Sequence, residues 1–474
     1  FDGCSGFTGD LVIPDNVSEI SEYSFNKCSG FDGSLILSKN LQKLPSNSFS
    51  GCSNLAGSLN IPISVKSLGK NVFSDCMKLN GTLIIHEFIT SISDGAFSGC
   101  SGFSSLKIMS NLTTISKSTF SDCIGFEGIL TIPNSVTTIS DYSFNNCFSF
   151  SDLVLPDSLI TIGISSFKNC SGLNSSLDLK KFSKITIIKE SAFSECSGLT
   201  DLSLPPKLLK IENYAFFKCF GLGSDLGIPI GVVHIGSHSF YGCFNLVRIN
   251  FDHPLEIIGE FAFFGCSGLK GKLDIPNSVI SIGQSAFSDC NGFDDEFSLS
   301  NKLTTINASV FCNCSGFQYD LLIPSRVKYI GSKAFFNCSG FESLKLSDNL
   351  TYINESAFCE CSGFTGTLII PPSVLHVRSK AFSHCSGIVK LELSENLIEI
   401  GSHAFHECFG LNGSLIIPDS VEIIDYRSFY GCSGLNENLT LSSSLKTIEK
   451  ESFSNTNFVN VIFNGNEEPK PCTN

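Results

Sequence analysis

The chain has 474 residues, 31 Lys+Arg against 45 Asp+Glu for a net charge of −14, and a lopsided composition of 43 Phe without Trp, 22 Cys with 2 Met, and 41 Gly. That bias points to one short pattern copied many times rather than to the several globules the length would suggest. The acidic balance and the lack of a Lys/Arg block argue against nucleic acid or anionic lipid as partners, and no apolar run approaches the ~18 to 20 residues of a membrane helix. The segment starts at Phe1 with no basic-then-apolar leader, so any targeting peptide would lie outside it.

Aligned on Phe-x-x-Cys, the chain yields 19 cysteines from Cys4 to Cys432, spaced 23 or 24 residues apart except for 26 before Cys196, and a twentieth copy in which Thr456 replaces the Cys. One unit runs Leu273-Asp274-Ile275-Pro276 through Ala286-Phe287 to Cys290. Leu-x-Ile alternates with period 2 and predicts a strand of about three to five residues, closed by a Pro that has no N–H to donate. Val279 to Gly283 is a second short extended segment. Ser-Ala-Phe-Ser-Asp-Cys is too short for a stable helix and predicts a helical or 3₁₀ turn. Cys-Ser-Gly then turns the chain back to the next strand.

No unit buries its own Leu, Ile, Phe and Cys, but stacked units do so continuously. The expectation is a β-rich solenoid of short parallel strands with 3₁₀ or helical turns, about 19 to 20 repeats long. Residues 1–456 would form one continuous domain that opens mid-repeat, and 457–474 a C-terminal cap and tail. At ~4.8 Å per strand the stack would be on the order of 90 Å long. Further along the chain, the long interval before Cys196 predicts a bulge near Lys180 to Lys184. From Pro229 onward the post-strand residue alternates: Pro229, Pro276, Pro324, Pro371 and Pro418 interleave with Asp252, Ser300, Ser347, Ser394 and Ser442. At the end, Thr456 and the polar, Pro-interrupted stretch Asn464 to Pro471 should stop the stacking.

The units 275–293 (Ile-Pro-Asn-Ser-Val-Ile-Ser-Ile-Gly-Gln-Ser-Ala-Phe-Ser-Asp-Cys-Asn-Gly-Phe) and 361–374 (Cys-Ser-Gly-Phe-Thr-Gly-Thr-Leu-Ile-Ile-Pro-Pro-Ser-Val) resemble BspA-type leucine-rich repeats. The resemblance runs from residue 1 to about 463. It implies a right-handed leucine-rich-repeat solenoid from a cell-surface or extracellular protein of bacteria or parasitic protists, some members of which bind host extracellular matrix. It brings no catalytic residues.

The residues themselves offer little chemistry beside this. Equivalent positions on stacked rungs sit ~4.8 Å apart, too far for the ~3.5 to 4.5 Å between disulfide Cβ atoms, and a linear column does not converge on zinc; the ladder cysteines therefore read as buried free thiols that fill space. Cys312, Cys359 and Cys472 stand off the ladder. Just before the ladder Cys, Glu360, His384 and Glu407 follow one another on consecutive rungs, residue types that suit a divalent metal, although a solvated charge column is the plainer reading and no metal or cofactor is expected. No nucleophile elbow or phosphate loop occurs in a convincing setting, so no catalytic residue is assigned and the chain is read as non-enzymatic. Twelve Asn-x-Ser/Thr sequons, Asn16, Asn111, Asn349 and Asn438 among them, are permissive of secretion and no more.

Two function classes follow: an extended recognition or adhesion rod for protein or glycan partners, and a structural scaffold without a dedicated receptor. A partner would touch residues that vary between rungs and face outward. Nine residues before the Cys, the column carries Tyr329, Tyr352 and His376 on successive rungs; two residues before it stand Phe217, Tyr241 and Phe264. Clustered outward aromatics are costly in water and common at interface hot spots, yet they also fold over neighbouring turns as satellite core.

Overall fold

The computed structural model describes residues 1–251 and 254–463, with the backbone alone of Lys470–Pro471; Asp252, Cys472 and the stretch 464–469 lie outside the described residues. The chain divides into two units, Phe1–Ser224 and Asp225–Asn474. Both repeat the same rung of two short strands and a turn.

The first strand of a rung holds its Leu and Ile inward and the residue between them outward, as with buried Leu273 and Ile275 around exposed Asp274. These strands pair in parallel with the same position one rung on, for example Leu321 with Leu344. They run from two residues to the seven of Leu79–Ile85, a wider spread than three to five. In the first unit Leu79–Ile85 pairs with Phe103–Ile108 through a register shift after Gly81, whose φ of 74° places it in the left-handed region that glycine tolerates. The second strand is mostly two residues, one out and one in. In the second unit Thr305–Ile306, Tyr329–Ile330, Tyr352–Ile353, His376–Val377, Glu399–Ile400, Ile423–Ile424, Thr447–Ile448 and Lys470–Pro471 form one eight-stranded sheet.

Between the strands, the alternation of Pro and Ser has a hydrogen-bonding basis. Buried Ser300, Ser347 and Ser442 donate Oγ–H to the carbonyls of Val279, Ser325 and Val421 on the preceding Pro rung, and each Oγ accepts the N–H two residues on. On Pro rungs a different serine, Ser373 or Ser420, reaches back to Leu350 or Leu397. A Pro rung and a Ser rung thus close each other's turns, which accounts for a two-rung period.

On the third side of the rung the expected helical or 3₁₀ turn is not found among the described residues, which form non-helical turns there. On every rung from Cys28 to Thr456, the residues five and one before the anchor have positive φ, Ser285 at 53° and Asp289 at 61° for instance. Two left-handed residues four apart break any helical run. Their N–H groups point along the stack instead: Ser285, Phe287 and Asp289 donate to the carbonyls of Ala308, Val310 and Cys312 on the next rung. The turns are therefore hydrogen-bonded to one another much as the strands are.

Inside this frame the anchor Phe residues stack face to face, with centroids 5.2 to 5.8 Å apart from Phe263 to Phe453 in the second unit. The ladder thiols are free, and from Cys28 onward they are buried. These thiols donate along the stack to the carbonyl of the anchor Phe one rung back, as Cys28 does to Phe1, Cys314 to Phe287 at 3.0 Å and Cys432 to Phe405. Burial pushes the Cys52 and Cys196 thiols up to about 12. Cys359, off the ladder, is also buried and pushed up to about 11, while Cys312 is half-buried.

The long interval before Cys196 is absorbed where the spacing indicated. Phe182 donates to Leu179 and Ile185 to Phe182, giving one extra turn around a buried Phe182, and Lys181 pairs with Asp157 at 2.8 Å. At the other end of the chain, Thr456 Oγ1 donates to the Phe453 carbonyl at 2.7 Å, and Asn460–Phe463 adds a last first-type strand with Val459 and Val461 exposed. Residues 464–469 and 472–474 of the expected cap lie outside the described residues. Among the described residues no helix is long and apolar enough to cross a membrane.

Candidate functional site

Three clusters on the rungs bear on function. The first is the strand column with Tyr329, Tyr352 and His376. Because Ile330 and Ile353 fill the core, the period of the strand turns the tyrosines outward, where they are 39% and 52% exposed. They are register partners with ring centroids 6.1 Å apart at 50°. A shallow groove bordered by His234, Ile257, Ser281, Gln284 and Asn307 ends at Tyr329. His376 is half-buried and tied to the next rung: its Nδ1 lies 3.0 Å from Glu399 Oε2, which Arg378 also approaches at 3.5 Å. The structure thus joins the two tyrosines and closes the column with a His–Glu–Arg group.

The second set, Phe217, Tyr241 and Phe264, is half-buried against the turns. Phe217 belongs to the first unit, edge-on to Tyr214 at 5.5 Å with Lys218 Nζ 5.1 Å from its ring. In the second unit Tyr241 and Phe264 stack at 4.9 Å and 6°, with His238 packed between Tyr241 and Phe261. Burial holds the His238 imidazole below its usual range. This arrangement is closer to satellite packing than to an open contact face.

The third cluster was not assembled by sequence reasoning. His384 does not meet Glu360 in a ligand group; it meets His406 and Glu407. His384 Nδ1 is 3.2 Å from Glu407 Oε2, its ring lies 5.3 Å from that of His406, and one ligand atom from each of the three falls within 4.8 Å of the others. His403 and Tyr430 flank the His406 ring at 5.1 Å, and the Arg427 guanidinium covers Tyr430 while pairing with Glu451. The signal was present in the column two before the Cys, where His406 and Tyr430 follow Ser383. The outward residues of the first strands were also passed over; Leu322, Ile369 and Ile416 are 58%, 57% and 66% exposed on alternate rungs.

Stacked rungs of two parallel strands and a turn, with inward Leu and Ile at fixed phase, define a leucine-rich-repeat solenoid. The family model described as BspA type leucine rich repeat region (6 copies) matches residues 1–127, 126–224, 223–319, 318–436 and 412–468, and the chain belongs to that family. A comparison with curated proteins found no match. Among solved structures, the chain is similar to a leucine-rich cell surface protein of Faecalibacterium prausnitzii (19% identity, 85% of this chain and 83% of that one, TM-score 0.36). It is similar as well to a leucine-rich repeat protein of Bacteroides ovatus (22%, 96% and 78%, TM-score 0.24) and to the leucine-rich repeat protein of T. pallidum (25%, 43% and 82%, TM-score 0.31). Likeness at these scores carries no functional argument.

Proposed function

We propose that this chain is a non-enzymatic recognition element of a surface or extracellular protein, binding a protein or glycan partner such as host extracellular matrix through variable outward residues on a constant frame. Membership of the BspA-type family supports the surface setting, and a repeat frame that leaves its outward columns free to vary suits extended partners. The observation that carries the reading is the pair Tyr329 and Tyr352, outward on adjacent strands beside a groove, in a column that carries Ser, Thr, Lys, Glu or Ile on most other rungs. Exposed neighbouring tyrosines give an apolar contact with a polar tip at low entropic cost, and His376 extends the patch by one rung. Phe217, Tyr241 and Phe264 contribute less, because much of their surface is already spent on their own turns.

The test replaces Tyr329, Tyr352 and His376 together with Thr, Thr and Ser, and measures urea unfolding alongside binding to a panel of matrix proteins and host cells. Loss of at least tenfold in affinity with an unchanged unfolding midpoint is expected. Wild-type binding by the folded variant would remove the patch from the interface.

A further inference from the structure

We infer that His384, His406 and Glu407 form a surface site for a divalent transition-metal ion of the zinc class. Two adjoining rungs build it. His384 stands one residue before Cys385 and Glu407 one before Cys408, both in the left-handed conformation (φ 60° and 54°), and the backbone fixes their spacing because His384 N–H donates to the His406 carbonyl at 2.7 Å. The metal-facing atoms are set by that stack rather than by long flexible chains. A tetrahedral zinc ion with ligands at ~2.0 to 2.1 Å needs donor atoms a little over 3 Å apart; His384 Nδ1 and Glu407 Oε2 are 3.2 Å apart, and the His406 donor lies within 4.8 Å of both.

The chemistry agrees with the geometry. Two imidazoles and one carboxylate match a borderline cation and not calcium or magnesium, which take oxygen ligands. Metal binding requires neutral imidazole. On the far side, Tyr430 stacks parallel to the His406 ring and limits where that ring can turn, while Glu451 neutralises the Arg427 guanidinium that would otherwise oppose a cation. All three ligands are half-buried, which leaves the remaining coordination position to water or to a side chain of a bound partner. The site shares no residue with the Tyr329 patch, so it stands or falls separately.

The experiment titrates the reduced 474-residue chain with Zn²⁺ against a chromophoric chelator and with Co²⁺ by absorption. Expected are one equivalent of Zn²⁺, Co²⁺ d–d bands without a thiolate-to-metal charge-transfer band, no competition by Ca²⁺ or Mg²⁺, and at least tenfold weaker binding in H384A, H406A and the near-isosteric E407Q. Melting curves without metal show which variants are folded, and E407Q carries the test if a histidine variant is not. A thiolate band, or wild-type affinity in folded E407Q and H406A, overturns the site.

Discussion

At the scale of single residues, the rung imposes demands that differ from position to position. The glycine of Cys-Ser-Gly is fixed by crowding and not by its φ. A Cβ on Gly340 would lie 2.2 Å from the Phe317 carbonyl oxygen and 2.5 Å from that of Ser315, both backbone atoms that cannot step aside. Gly340→Ala should therefore cost about 1 to 3 kcal/mol by overpacking, read as a lower urea midpoint at unchanged m-value. The left-handed positions behave otherwise. Asn, Asp, Lys, His, Glu, Ser and Gly all occur there, and the asparagines gain ladder bonds in return, as Asn313 does from Nδ2 to Asp289 Oδ1 at 2.7 Å. Such a bond helps offset the cost of positive φ, of order 1 kcal/mol or more, which makes Asn and Asp better tolerated there than β-branched residues.

At the scale of the element, the Pro and Ser rungs act as pairs. Ser300 Oγ donates 2.6 Å to the Val279 carbonyl and accepts from Lys302 N–H, with Ser300 fully buried, so removing the hydroxyl strands two backbone groups. Ser300→Ala should cost about 1 to 3 kcal/mol by thermal or urea unfolding, against a change within about 0.5 kcal/mol for Ser281→Ala on the exposed face of a second strand. An equal response of the two variants would remove the pairing account. The strands themselves were legible because Leu-x-Ile has the period of a pleated strand and one face must be buried. The turn was not, because the residues at its left-handed positions include Tyr, Lys, His and Glu, which announce no sign of φ, and short runs of Ser, Ala and Phe suit a helix equally well. The meeting of His384 with His406 depends on that same turn, so the sequence offered the column of Glu360, His384 and Glu407 instead. Tyr329 and Tyr352 were legible as neighbours because strand register follows directly from the repeat.

At the scale of the whole molecule, the thiol column couples stability to pH. A ladder thiol is protonated in the native chain because burial disfavours the thiolate, and Cys52 and Cys196 are pushed up to about 12. In the unfolded chain the same thiols titrate near ~8.5. Below that value both states are protonated and the contribution is fully present. As pH rises, the unfolded chain loses protons that the native chain keeps, so stability falls until the native thiols also ionise near the top of the range. Each thiol that titrates only in the unfolded state adds a slope of about −1.4 kcal/mol per pH unit, and a cooperative unit contains several. Urea midpoints measured under reductant should therefore hold steady from pH 6 to 8 and drop steeply between pH 9 and 11. A variant with Cys290, Cys314 and Cys338 all changed to Ala isolates the thiol contribution: it starts less stable at neutral pH, because three buried side chains are trimmed, but loses less on going to pH 10. A slope identical to that of the unmodified chain would show that the ladder thiols do not carry the alkaline sensitivity.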